Sequence, residues 1–132
     1  MEIKDYKLAL HSDIQAQELQ AVKALSSIVT SEAVDALLEG LEGDAYGAIA
    51  QETFSAIVSA LTHLDKERLT NKLCNMYRKL SAMHAKKPAI IRALGNLGGT
   101  EAISILREAL SDKDSNIVWH AKDALKKLGQ AQ

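Results

Sequence analysis

Four histidines and one cysteine have the widest chemical repertoire in this chain, and their spacing decides what they can do. His11, His63, His84 and His120 lie far apart, and none has another histidine or a cysteine at the short interval from which one helix or turn offers two ligands to one metal. Cys74 falls beside Leu73 on the flank of an apolar stripe, where a small buried thiol is expected rather than a nucleophile. Serine, histidine and aspartate are all present, but no glycine-framed nucleophile elbow accompanies them. Gly95, Gly98 and Gly99 lack the following Lys-Ser or Lys-Thr of a phosphate-binding loop. No catalytic residue, metal site or cofactor is therefore assigned, and the expectation is a protein that is not an enzyme.

Charge and one tryptophan are more informative. Net charge is −1, yet residues 1–65 hold three lysines against eleven acids, residues 66–92 hold eight basic residues against Glu67, and residues 93–132 balance. At about 100° per residue, Arg68, Lys72 and Lys79 share a narrow sector beside the Leu69, Leu73 and Met76 stripe, which predicts a basic ridge. Such a ridge is either a solvated face, its later members Arg78 and Lys79 favoured at a helix C-terminus by the macrodipole, or a surface for an acidic partner. Trp119 lies about 160° around its helix from Ala121, on the side of Lys122, Asp123 and Lys126. It either packs on a neighbouring helix at the end of the molecule or serves as an apolar binding anchor.

The elements that must carry these residues repeat. Laying 24–44 over 93–113 gives identities at Ala24/Ala93, Leu25/Leu94, Glu32/Glu101, Ala33/Ala102, Leu37/Leu106, Glu39/Glu108 and Leu41/Leu110. Weaker copies surround Leu61 and Leu125, so anchor leucines recur at intervals of 36, 33 and 31 residues. Periods of this size mark stacked pairs of helices. The apolar spacing predicts outer helices near 3–10, from Ser31 through Leu41, from Leu69 to Leu80, and after Thr100. It predicts inner helices near 13–29, 46–64, 88–97 and 115–128. Ile14, Ala21, Leu25 and Ile28 form the stripe of the first inner helix. Ser12 or Asp13, Ser31, Thr100 and Ser115 are the expected caps, Pro88 opens the third inner helix, and Gly43 ends the outer helix that Ser31 begins or lies just beyond its end. Gly47 weakens the start of the second inner helix.

The run Ala93-Leu94-x-x-Leu97-Gly98, then Glu101-Ala102-Ile103-x-x-Leu106-x-x-x-Leu110, Ser111-Asp112-Lys113-Asp114-Ser115 and Ile117-Val118, resembles HEAT-like repeats of the phycobilisome-lyase type. The likeness is good over 89–129, fair over 13–44 and weak over 45–85. Those repeats usually carry arginine after the valine of the second helix, where this chain has Trp119. The resemblance implies an α-solenoid used mainly for protein binding and does not imply lyase activity. Some HEAT-repeat proteins are di-iron hydroxylases that use His-Glu dipeptides, and this chain has none.

The expected architecture is thus all-α, a right-handed superhelix of about four HEAT-like helix pairs forming one domain over residues 1–132. Polar residues of the inner helices, Gln20, Lys23, Gln51, Ser55, Arg92, Lys122 and Lys126, would face a protein partner, with Trp119 as anchor and Arg68, Lys72 and Lys79 offering charge to an acidic one. A second copy of the chain is an alternative occupant. Nucleic acid, which some HEAT-like DNA glycosylases bind, is disfavoured because the basic residues sit in one segment with only Tyr77 among them. An accessory subunit of a chromophore-lyase-like enzyme is the third reading, resting on the resemblance alone. With 132 residues, 47% apolar content, one cysteine, no apolar run near the roughly 20 residues that span a bilayer, and Glu2 and Asp5 where a signal would be basic, a cytoplasmic protein without membrane association is expected.

Overall fold

The structure, a computed structural model, describes residues 2–10, 14–28, 30–42, 51–80 and 86–130. Among them are eight helices and no strand: α1 (Ile3–Leu10), α2 (Gln15–Ile28), α3 (Ser31–Glu42), α4 (Gln51–Leu64), α5 (Lys66–Lys79), α6 (Lys87–Leu97), α7 (Thr100–Ala109) and α8 (Ser115–Lys127). The all-α class and the helix-turn-helix rhythm are those expected. The Ser12 or Asp13 cap, Gly43, Gly47 and the expected helix start at 46 lie outside the described residues.

Two compact units divide the chain, Met1–Leu69 and Thr70–Gln132, and the boundary falls within α5. In the first, α2 packs on α1, α3 and α4, and α3 also meets α1 and α4. Its core is aliphatic, with Leu10, Leu25, Leu37, Leu41, Ile57 and Leu61 fully buried. In the second, α6, α7 and α8 pack on one another around Ile90, Ile91, Leu94, Ile105, Leu106, Ile117 and Leu125. Each such side chain stabilises the fold by about 1.5–3 kcal/mol through burial alone. Ile14 departs from expectation: it precedes α2 and is 52% exposed instead of joining the stripe.

Helix ends explain why the elements begin and stop where they do. Asp5 reaches back so that its Oδ2 accepts from the Glu2 amide at 2.8 Å, one half of a capping box. At α3 the cap is Thr30, whose Oγ1 accepts from the Ala33 amide at 3.2 Å, and Ser31 is already helical. Asp65 Oδ1 accepts from the Arg68 amide at 3.1 Å to open α5. Pro88 lies in the first turn of α6, as expected. Thr100 provides no cap, because it is the first residue of α7 and follows Gly99 at φ 90°. Asp114, not Ser115, caps α8 through a 2.9 Å bond from the Asn116 amide. The α8 C-terminus closes as a Schellman turn, with Gly129 at φ 73° and the Gln130 amide donating to the Leu125 carbonyl.

Candidate functional site

Three of the expected binding residues share one face of α8. Trp119, Lys122 and Lys126 follow one another at intervals of three and four, which sets them on one side of a helix. That side is away from the core, since Ile117, Ala121, Ala124 and Leu125 are buried while Lys122 and Lys126 are exposed and Trp119 is 62% exposed. The indole meets the His120 ring edge-on, centroids 5.1 Å apart and planes at 84°. Asp123 pairs with Lys127 at 3.2 Å. Arg92 is exposed on α6, the helix packed against α8. The surface therefore pairs a large apolar, aromatic side chain with positive charge.

The close packing of α6 on α8 is set by Gly95. A Cβ there would lie 2.7 Å from Cβ of Ala124, so the missing methyl lets the two helices approach. In sequence Gly95 stands in one glycine-rich run with Gly98 and Gly99. Only Gly98 and Gly99, at φ 69° and 90°, form the turn.

Arg68, Lys72 and Lys79 are all on α5, but the ridge they were expected to form is not a row of available charges. Arg68 is ion-paired with Asp35 of α3, and this bond favours its charged form above the ordinary arginine range. Arg78 lies 3.7 Å from Glu108. Lys79 is exposed and Lys72 half-buried.

One cluster escaped the sequence reading. Lys87, counted there among the basic run, is buried, and its Nζ donates to Asp112 Oδ2 at 3.1 Å with both side chains under a tenth exposed. Tyr77 Oη donates to the same oxygen at 2.7 Å, and the Lys87 ammonium sits 4.7 Å from the Tyr77 ring centroid. Asp112 Oδ1 accepts from the Asp114 amide at 2.9 Å. Burial alone would raise the Asp112 pKa, but the Asp114 amide, Tyr77 and Lys87 together hold it below the usual carboxylate value. Burial, then the bond to Asp112, pushes the Tyr77 phenol up. No buried side-chain nitrogen or oxygen among the described residues lacks a partner, so the cluster ties the turn before α8 to α5 and α6 and leaves no group reaching for a ligand. The only sequence sign of it is the Asp112-x-Asp114 spacing at a helix start.

Cys74 is fully buried with Sγ 3.9 Å from the Glu101 carbonyl, and burial followed by the nearby Glu101 pushes its pKa up to about 12. It is the buried thiol expected. His63 is exposed near the end of α4, and His11 and His84 lie outside the described residues. Among the described residues no group of three or more histidine, cysteine or acidic side chains could hold a metal ion. No described helix is long and apolar enough to cross a membrane.

Residues 70–132 match the family model for HEAT repeats. This part of the chain carries HEAT repeats. The match spans most of α5 and all of α6, α7 and α8, so the Gly98–Gly99 turn, the buried Asp112 cluster and the Trp119 face all belong to the HEAT repeats. It specifies HEAT repeats and does not specify the phycobilisome-lyase type. No curated protein matches the chain.

Proposed function

We propose that this HEAT-repeat protein is a non-catalytic protein-protein interaction module or adaptor, and that the α8 face is where its partner binds. HEAT repeats generally serve as interaction scaffolds, and stacked helix pairs present an extended surface to a partner. The observation that carries the reading is Trp119, 62% exposed on the same helix face as Lys122 and Lys126. An indole left in water forgoes the burial that would stabilise the fold, whereas at an interface it is among the side chains that contribute most. With Lys122 and Lys126 on the same face as the indole, the preferred partner presents an apolar pocket rimmed by carboxylates.

The test compares proteins captured from native lysate by wild type, by Trp119→Ala and by Lys122→Glu/Lys126→Glu. Partners retained by wild type and lost from both variants, with the variants' helical spectra unchanged, support the reading. Identical captures from all three would exclude the α8 face.

A further inference from the structure

The first unit carries a groove that the α8 reading does not use. It runs between α2 and α4, has a volume of about 410 Å³, and is bordered by Val22, Lys23 and Ser26 on one side and Ala56, Ala60 and His63 on the other. On each helix the bordering positions recur at intervals of three and four, so each contributes a stripe about two turns, or roughly 10 Å, long. Val22 is buried at the base, and the short side chains of Ala56 and Ala60 leave room above it.

Its electrostatics run against those of the surrounding chain. Residues 1–65 hold eleven acidic residues and three lysines, yet among the described residues no carboxylate borders the groove, and the ionisable groups there are Lys23 and His63. Lys4 is held by Glu2 at 3.6 Å and Lys7 by Glu39 at 2.9 Å. Lys23 is exposed, and among the described residues no carboxylate pairs with its ammonium. An apolar floor with positive charge at its border, inside an otherwise acidic half, complements a ligand that joins apolar side chains to carboxylates.

We propose that this groove docks a short acidic amphipathic helix of a partner protein, with its apolar side chains over Val22 and between Ala56 and Ala60, and its carboxylates on Lys23 and His63. Two turns of groove match the i, i+3, i+4, i+7 anchors of one helix face. This goes beyond the α8 reading in surface and in unit, and neither depends on the other.

The test titrates the isotopically labelled full chain with a synthetic helix-forming peptide of leucine and glutamate, leucines at i, i+3, i+4 and i+7. The same peptide with lysine for glutamate is the control. Amide shifts confined to α2 and α4, an affinity reduced about tenfold or more by Lys23→Glu and by Ala60→Trp, and no change with Trp119→Ala are expected. Lys23 is exposed, so its variant reports on binding even where Ala60→Trp disturbs packing. Equal binding of the lysine peptide, shifts centred on α8, or absence of binding would overturn the proposal. Shifts of α2 and α4 that grow with protein concentration alone would assign the groove to a second copy and overturn it as well.

Discussion

At Lys87 formal charge and available charge part company. It is one of eight basic residues between 66 and 92, but its ammonium is committed to Asp112 and the Tyr77 ring. Composition reports the first quantity and only tertiary packing the second, which is why the basic ridge read from Arg68, Lys72 and Lys79 overstated the charge on offer. Trp119 was legible for the opposite reason, since helical angle alone set it opposite the buried Ala121. Removing Asp112 should be costly: Asp112→Ala leaves a buried lysine unpaired and is expected to lose about 3 kcal/mol or more in urea denaturation. Tyr77→Phe, which leaves Lys87 and the Asp114 amide in place, should lose about 1–2 kcal/mol. The pH dependence follows from the lowered Asp112 pKa. Its stabilisation is complete above the unfolded value of about 3.9 and disappears as pH falls through the lower folded value, so urea midpoints should hold through neutral pH and drop below about pH 4. Asp112→Asn should flatten that acid limb. A variant with the same acid limb as wild type would remove Asp112 from the account.

Between elements, the sequence spoke clearly about where helices lie and less clearly about their ends. Thr30-Ser31 and Asp114-Ser115 each present two adjacent residues able to cap, and the backbone geometry at the turn chooses the first of each pair. Gly95 was opaque because a mid-helix glycine reads the same whether it weakens a helix or admits a neighbour. The structure makes a specific demand on it. Gly95→Ala should lose about 1–3 kcal/mol from overpacking against Ala124, outweighing the roughly 1 kcal/mol that alanine gains in helix propensity. Repeating the substitution in an Ala124→Gly background should cost clearly less, because the clashing methyl is gone. Equal costs in the two backgrounds would mean that α6 and α8 are not held together at this point. Gly40 offers a contrast, since a Cβ there meets only the flexible ends of Leu10 and Ile57 at 3.1 Å, and neighbours of that kind can yield.

For the whole molecule, the period of about 3.6 in every apolar segment announced eight helices, but the division after Leu69 had no sequence mark. Leu69, Leu73 and Met76 continue one buried stripe through it. The exposed Trp119, with Leu8 also 73% exposed on α1, bears on self-association. If the chain pairs with itself through α8, sedimentation should show a concentration-dependent dimer that Trp119→Ala weakens without changing the melting temperature. A wild-type monomer at the highest attainable concentration would reserve the α8 face for other proteins. Cys74 gives the same molecule a built-in timer. A thiol with a pKa near 12, sealed beneath α7, is almost never a thiolate in the closed state, so a disulfide reagent can react only during moments when the second unit opens. The ratio of its labelling rate to that of free cysteine is then the opening equilibrium itself. Labelling about a thousandfold slower than free cysteine, accelerating with urea along the unfolding curve, is the expected behaviour; labelling within about tenfold of the free rate would show that this core is breached long before the chain unfolds.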